Sequence, residues 1–596
     1  MSKFRGSLSL NWYWDPVNGN FVLENNTVKR IIQEQKTSGE VSIFSYQRVN
    51  QEADKVARYA LNHQGLKRGD VVAVMMRNEP EFIWIFLGLA KIGVIVAFIN
   101  YNLRADPLKH CLRESDAKVL IVGKDDDLLK AVEEINTELL EKGVDIWVSG
   151  EGITENIPQN FSHLQKATES SSSGEEIPRH IRQGITLMDP LSYVYTSGTT
   201  GLPKPAIITH LRYIRGAFLM AVPTKLNEND IVYTSLPLYH SMAGVVGLSA
   251  VILRGATIIL RAKFSASNFW YDIRRHGVTV VQYIGEICRY VLATPQSPLE
   301  SRHVVRCFIG NGLRSDIWLK FQSRFKLDHM VEFYASTEGN CWFSNTYNKP
   351  LSCGRLSPFL RLVFPSFLVK YDHEKDEPVR NEQGRCIPVE IGEPGLLIAA
   401  IKGNFTFEGY KGNKGLTEKK ILRNVFQQGD AYFNSGDLLY TDSNYFLYFS
   451  DRVGDTFRWK GENVSTLEVA NVLAEVEGVE DASVYGVKVP GKEGRAGMAA
   501  VTLQEEKKLT WQLFENIYNR LSDRLPAYAR PLFLRVQHTL DLTGTYKQRK
   551  EQLKGQGFKP SEVKDDKLYF LDETKRAFVP LDAELYERII RGEERI

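Results

Sequence analysis

Apolar positions change period repeatedly along residues 46–180. Residues 46–63 carry them at helical spacing. Val71-Val72-Ala73-Val74-Met75-Met76 is a short unbroken run directly after Arg68-Gly69-Asp70, and Val119-Leu120-Ile121-Val122 is another, closed by Gly123. Short apolar runs bounded by glycine predict buried strands, and their alternation with helical stretches predicts α/β layers around a largely parallel sheet. Residues 82–99 are apolar except for Lys91 near the middle. A membrane-spanning helix needs about 20 apolar residues, so this stretch predicts a buried helix followed by a buried strand. The polar segment Thr168-Glu169-Ser170-Ser171-Ser172-Ser173-Gly174-Glu175-Glu176 predicts a surface loop.

The same alternation resumes further on. Asp230-Ile231-Val232-Tyr233 leads to Leu236-Pro237-Leu238-Tyr239-His240. Two more apolar runs follow, and 304–309 enters Gly310-Asn311-Gly312. Junctions between strand and loop are where α/β proteins place ligands. Residues 391–450 read as short strands and turns, and 453–550 as a compact mixture of helix and strand long enough for a small domain. The expected organisation is an N-terminal extension (1–45), a large α/β domain of layered sheets and helices with a β-rich subdomain (46–451), a small α+β C-terminal domain (452–550) and a charged C-terminal extension (551–596), helical near 582–591.

Composition narrows the picture. A chain of 596 residues exceeds one ordinary core. Its 75 basic and 72 acidic residues leave a net charge of +3, which argues for no nucleic-acid partner. Cys111, Cys288, Cys307, Cys341, Cys353 and Cys386 contain no close pair, so a disulfide framework or zinc site is not expected and a reducing compartment is. Near the start, Lys3 and Arg5 precede no long apolar region, so no signal peptide is expected. Trp12-Tyr13-Trp14 suits a peripheral membrane contact.

The densest chemistry is Tyr195-Thr196-Ser197-Gly198-Thr199-Thr200-Gly201-Leu202-Pro203-Lys204. Glycines let the backbone approach a ligand closely, and exposed N–H groups, hydroxyls and a lysine form an anion cradle. The spacing differs from Gly-x-x-x-x-Gly-Lys-Ser/Thr: the lysine follows Gly201 by three positions, with Pro205 where that loop places its metal-binding hydroxyl. An ordinary kinase or ATPase switch is thereby disfavoured and a different nucleotide enzyme favoured. In Phe333-Tyr334-Ala335-Ser336-Thr337-Glu338-Gly339-Asn340, an aromatic suits a base, a threonine a phosphate and a glutamate a magnesium ion. Asp437, in Ser435-Gly436-Asp437, is a short acceptor suited to ribose hydroxyls. Arg452 falls where the composition changes, a place for a ligand contact and a hinge. Thr543-Gly544-Thr545-Tyr546-Lys547-Gln548-Arg549-Lys550 is a basic cluster after a turn.

Together these motifs resemble the adenylate-forming acyl-CoA synthetase superfamily, and within it the branch of fatty-acid transport proteins, or very-long-chain acyl-CoA synthetases. The resemblance runs over about residues 45–580. Its other carriers are Leu236-Pro237-Leu238-Tyr239-His240, Tyr283-Ile284-Gly285-Glu286, Gly310-Asn311-Gly312-Leu313-Arg314, Tyr432-Phe433-Asn434-Ser435-Gly436-Asp437 and the stretch 451–463. It implies an ATP-dependent long- or very-long-chain fatty acyl-CoA synthetase that supports fatty-acid uptake by trapping. A bile-acid-type CoA ligase and a transporter or binding protein without essential catalysis are the alternatives. The implied ligands are ATP, Mg2+ and coenzyme A, with a long- or very-long-chain fatty acid as substrate.

By resemblance, Thr196, Ser197, Gly198, Thr199, Thr200, Gly201 and Lys204 form the phosphate loop. Thr337 meets the α-phosphate, and Glu338 the metal. Gly310, Asn311 and Tyr334 border adenine, and Asp437 and Arg452 hold ribose. His240 lies where acyl and nucleotide pockets meet. Lys547 serves adenylation from a mobile C-terminal domain, and Gly461 frames the pantetheine channel. Lys547, Thr337, His240 and Lys204 are thus the residues implied in the chemistry. Two departures stand out: Gly544-Thr545-Tyr546-Lys547 replaces a common Ser-Gly-Lys-Ile pattern, and Val453-Gly454 stands where many relatives carry a charge. Kinship and a lipid substrate imply peripheral or anchored attachment to intracellular membranes (endoplasmic reticulum or peroxisome) or to the plasma membrane, with the active domains facing the cytosol. A homo-oligomer is left open.

Overall fold

The computed structural model describes residues 12–15, 20–23, 30–34, 41–62, 64–150, 157–158, 160–170, 176–196, 202–373, 375–403, 405–504, 509–538, 550–563, 566–594 and 596. The chain divides into two compact units. The first comprises Met1–Leu313, Phe321–Asn348 and Phe407–Lys419; the second comprises Arg314–Lys320, Lys349–Thr406 and Lys420–Ile596.

Two sheets organise the first unit. A seven-stranded sheet has the order Lys204–Thr209, Pro190–Thr196, Ile95–Phe98, Val71–Met75, Val119–Gly123, Asp145–Ser149, Ser162–His163. All its pairs are parallel except the first, which is antiparallel. Every residue of Val71–Met75 and Ile95–Phe98 is buried, as a parallel sheet covered on both faces requires. Helix Pro80–Lys91 precedes strand Ile95–Phe98, the arrangement expected for 82–99. Lys91 is accommodated by pairing with the buried Asp54 at 2.7 Å.

An eight-stranded sheet follows the order Trp342–Ser344, Met330–Ala335, Cys307–Asn311, Val280–Ile284, Ile231–Thr234, Thr257–Arg261, Arg30–Glu34, Val41–Ser45. Two expectations are corrected here. Strands Arg30–Glu34 and Val41–Ser45 are part of this sheet, the former parallel to Thr257–Arg261, so the presumed extension 1–45 supplies structure to the large unit. Helix Leu164–Ser170 runs into the presumed loop 168–176, and Thr168 is buried with its hydroxyl donating to the Gln165 carbonyl at 3.0 Å. A local side-chain bond satisfied the polarity that read as loop.

The second unit holds a six-stranded sheet built on the long strand Ala431–Thr441, and a five-stranded sheet in the order Val479–Val487, Ala496–Leu503, Phe533–Gln537, Lys567–Asp572, Ala577–Pro580. The last two strands correct the reading of 551–596 as an extension. Leu568, Tyr569, Phe570, Leu571, Phe578 and Ile589 belong to the same core as Val484, Met498 and Phe533. The charge that suggested an extension is concentrated in the turn Asp572-Glu573-Thr574-Lys575-Arg576 and on exposed helix faces, so the short apolar runs between them were hidden.

Candidate active site

The glycine-hydroxyl run joins two paired strand ends, with Thr196 opposite Lys204. Leu191, Val194, Ala206 and Ile208 are buried and fix the strands. Its shoulders are tied to one helix, Ala105–Ser115: the Tyr195 hydroxyl donates to the Cys111 carbonyl at 2.5 Å, and His110 Nε2 to the Pro203 carbonyl at 3.1 Å. Ser197, Gly198, Thr199, Thr200 and Gly201 lie outside the described residues.

Thr209 ends the second strand and caps helix His210–Ala221, its hydroxyl accepting from the Arg212 N–H at 3.2 Å. That cap places Arg212 in the first helical turn. Its guanidinium donates to three carbonyls of one loop, Ser336 at 3.2 Å, Glu338 at 2.7 Å and Gly339, and lies 3.6 Å from Glu408. Burial pulls its pKa down, and the carboxylates of Glu408 and Glu338 oppose that. A forked cation is suited to holding several acceptors at once. The Tyr410 hydroxyl donates to Glu338 Oε1 at 2.9 Å. The hydroxyls of Ser241 and Thr337 are 3.0 Å apart. Thr337 and Glu338 are therefore held by Arg212, Tyr410 and Ser241, none of which the motif reading singled out. The available signal was an arginine three residues past a strand-ending threonine, in the first turn of a mostly apolar helix.

His240 is the N-cap of a π-helix, Ser241–Gly247, and its Nδ1 accepts from the Met242 N–H at 3.4 Å. Wide π turns are frequent at functional sites. Buried Asn78 sets the preceding turn, donating to the Leu236 carbonyl and accepting from the Leu238 N–H, both at 2.8 Å. Gln282 ties the π-helix to the sheet by donating to the Met242 carbonyl at 3.1 Å.

Gly310 and Asn311 end a strand in register with Tyr283 and Ile284. A Cβ at Gly310 would stand 2.2 Å from the Tyr283 carbonyl, so only glycine fits. Below them Glu332 accepts from the Tyr283 hydroxyl at 2.5 Å and the Leu313 N–H at 3.1 Å. Tyr334, two residues on, is buried with its ring 6.2 Å from that of Phe343. Burial pushes the Glu332 carboxyl up to about 8. A folded pKa above the unfolded value of about 4.3 gives stability that is complete below that value and is lost as pH rises through 8. Glu332→Gln is therefore expected to gain on the wild type between pH 5 and 8.5, by on the order of a few kcal/mol. Thermal melts across that range check this; parallel pH profiles for the two proteins would refute it.

In the second unit, strands Ala431–Thr441 and Phe446–Arg452 put Asp437 opposite Arg452, with Arg452 Nε 3.6 Å from Asp437 Oδ1. Lys420 donates to the Ser435 carbonyl at 3.3 Å, adding a second cation near this pair. Asp451, next to Arg452, is buried and accepts from the Arg452 N–H at 2.8 Å, the Thr466 N–H at 2.6 Å and the Ser465 hydroxyl at 3.0 Å. It thus pins the start of helix Thr466–Ala474 to the strand end. Lys550 donates to the Thr466 hydroxyl at 3.1 Å and lies 3.7 Å from Asp455. Gly461 and Lys460, both at positive φ, form the two-residue turn between Phe457–Trp459 and Glu462–Val464. A Cβ at Gly461 would meet nothing within 4 Å, so its neighbourhood is open. Lys547 lies outside the described residues.

The donor chemistry fits a magnesium nucleotide. Magnesium is commonly held by one or two carboxylates plus substrate phosphates; Glu338 is one carboxylate, braced by the Tyr410 hydroxyl. Among the described residues no group of three His, Cys, Asp or Glu gathers to hold a metal on its own.

Comparison with known proteins agrees with this geometry. The family model for the AMP-binding enzyme matches residues 25–410, and that for the AMP-binding enzyme C-terminal domain matches 468–547. Long-chain fatty acid transport protein 2 of Rattus norvegicus is 47% identical over 548 residues, covering 92% of this chain and 86% of its own. Long-chain fatty acid transport protein 6 of Mus musculus is 45% identical, covering 94% and 88%. The fold matches the anthranilate CoA ligase AuaEII in complex with anthranoyl-AMP (TM-score 0.73, 22% identity, 91% of this chain and 95% of that one). It also matches a benzoate CoA ligase from Burkholderia xenovorans LB400 (TM-score 0.71, 21% identity, 88% and 96%). A matched nucleotide-binding family over most of the chain, close kinship to fatty-acid transport proteins and a shared fold place this chain in the AMP-binding, adenylate-forming acyl-CoA synthetase superfamily, as a fatty-acid-transport-protein-like member.

Proposed function

We propose that this acyl-adenylate-forming enzyme converts long- or very-long-chain fatty acids to their CoA thioesters, and that it supports uptake by trapping the acid as a charged product. The observation that carries the reading is the braced loop Ser336-Thr337-Glu338-Gly339, held by Arg212 and Tyr410, in a chain nearly half identical to a long-chain fatty acid transport protein. In the first half-reaction a carboxylate oxygen of the acid bonds to the α-phosphorus of ATP, and the bond to the bridging oxygen breaks to release pyrophosphate. In the second, the sulfur of coenzyme A bonds to the acyl carbon, its proton is lost, and AMP leaves.

Like charges meet in the first step, so donors fixed in advance lower its barrier. Thr196, Ser197, Gly198, Thr199, Thr200, Gly201 and Lys204 receive the β- and γ-phosphates, and Thr337 the α-phosphate. Glu338 would hold Mg2+, which offsets phosphate charge when bound. Gly310, Asn311 and Tyr334 border adenine, Asp437 and Arg452 take the ribose hydroxyls, and His240 faces the reacting carboxylate. Lys547 assists adenylation, and Gly461 borders the pantetheine arm. A substrate that partitions into bilayers favours work at a membrane surface, with the active domains on its cytosolic side; no helix among the described residues is long and apolar enough to cross a membrane.

The test is AMP release that requires ATP, Mg2+ and acid together, run with palmitate, a saturated C24 acid and cholate, followed by thioester formation on adding coenzyme A. Turnover of the fatty acids is expected. No AMP with any acid would overturn the enzymatic reading, and turnover of cholate alone would overturn the substrate.

A further inference from the structure

Helix Pro358–Val363 inverts the usual arrangement of a surface helix. None of its residues is buried, and the positions at i, i+3 and i+4 that share one face are Phe359, Leu362 and Val363, exposed at 75%, 82% and 55%. Phe364 adds 38%. The display is fixed rather than frayed. Ser357 caps the helix by accepting from the Leu360 N–H at 3.3 Å, Pro358 occupies its first turn, and the Phe364 N–H closes it on the Leu360 carbonyl at 2.8 Å. Strands Ser352–Arg355 and Ser366–Val369 of the six-stranded sheet hold its two ends. An apolar face that the chain takes trouble to hold in water marks a contact site.

Charge and size identify the occupant. Residues 349–366 contain Lys349, Arg355 and Arg361 and no carboxylate. Arg361, on the helix itself, turns inward over the Phe367 ring at 5.8 Å. Lys349 and Arg355 both lie over the Phe446 ring, at 5.7 and 5.6 Å, next to Tyr445, which lines a cleft with Pro358, Arg361 and the exposed Ile391. The cleft wall carries one carboxylate, Glu390. A stable protein partner needs about 800 Å² per side, far more than four or five side chains on a turn and a half of helix. A lipid interface needs only a few inserted aromatic and aliphatic side chains with cations at the headgroups. We propose that this helix is a peripheral docking element for an anionic lipid bilayer, with Phe359, Leu362 and Val363 inserted and Lys349 and Arg355 at the headgroups. The proposal rests on the reading of the enzyme as one that draws a lipid substrate, and it names the surface that meets the lipid.

The full chain is mixed with vesicles of phosphatidylcholine alone or with phosphatidylserine at about 30%, a composition that gives the negative surface potential of a cytosolic leaflet, and binding is read by co-sedimentation. Wild type is expected to bind the anionic vesicles at least tenfold more tightly than the neutral ones. The double variant Phe359→Asp, Leu362→Asp is expected to lose at least tenfold of that binding, while Phe359→Leu, Leu362→Ile keeps it. AMP release with octanoate, which needs no bilayer, should be unchanged in both, showing that each folds. Absence of wild-type binding to anionic vesicles, or full binding by the Asp variant, overturns the proposal. So does a dimer in light scattering that the Asp variant dissolves while vesicle binding persists, which would assign the face to a second copy. Vesicle binding without AMP release from any acid would sink the synthetase reading and leave the docking surface standing.

Discussion

Glu338→Gln is expected to lower acyl-adenylate formation by about 10²- to 10³-fold, the usual loss when one group that stabilises developing phosphate charge is removed, and to move the Mg2+ dependence to higher concentration. The substitution is nearly isosteric. The amide oxygen still accepts from the Tyr410 hydroxyl, which donates to Glu338 Oε1 at 2.9 Å, and the Arg212 contacts go to the backbone, not to this side chain. The melting temperature should therefore stay within a few degrees of wild type while the charge at the metal position is lost. Pyrophosphate release measured over a magnesium titration separates these effects. A variant within threefold of wild type, with the same magnesium midpoint, would remove Glu338 from the metal position.

Arg212→Met makes the opposite kind of lesion. The side chain keeps its bulk and loses its donors. Three carbonyls on the loop lose a charged partner, and half-buried Glu408 loses the cation 3.6 Å away. Each charged hydrogen bond contributes about 1.5–3 kcal/mol. Part of that is recovered when the loop relaxes into solvent, and relaxation is what removes Thr337 and Glu338 from their places. A drop of about 10²-fold or more in adenylation is expected, since misplacement by about 1 Å is enough for that, together with a lower melting temperature. Arg212→Lys should fall between, because a compact ammonium cannot span three acceptors as a planar fork does. Full activity in Arg212→Met would show that the loop is positioned without it.

How much of this was legible in the residues differs by level. Strands such as Val71–Met75 and Val119–Gly123 could be found because burial on both faces leaves unbroken apolar runs. The terminal strands Lys567–Asp572 and Ala577–Pro580 could not, because a charged turn between them dominates the local composition. The motif residues Thr337 and Glu338 were visible as chemistry within a short segment. Their supports were not: Arg212 and Tyr410 lie 126 and 72 positions from Glu338, and only tertiary structure brings such groups into register. Asn78, 158 positions from the Leu236 carbonyl it holds, is the same case. Periodicity reports local geometry, and a polar residue serving a distant loop leaves no periodic trace.

The short segment Phe407–Lys419 belongs to the first unit although residues of the second unit precede and follow it. It covers the edge strand Lys204–Thr209: the Ile207 N–H bonds the Gly409 carbonyl at 3.1 Å, the Lys411 N–H bonds the Pro205 carbonyl at 3.0 Å, and Lys411 reaches the Ser115 carbonyl and Asp116. On the ribosome this has a timing consequence. Synthesis proceeds at roughly 5–20 residues per second, so the glycine-hydroxyl loop emerges about ten to forty seconds before the segment that supplies Tyr410. During that interval the nascent unit carries an uncapped sheet edge and, over roughly its last four to fourteen seconds, an unbraced Glu338 72 positions before Tyr410, which makes the first two-thirds of the chain a natural client for a chaperone that holds exposed strands until the strap arrives.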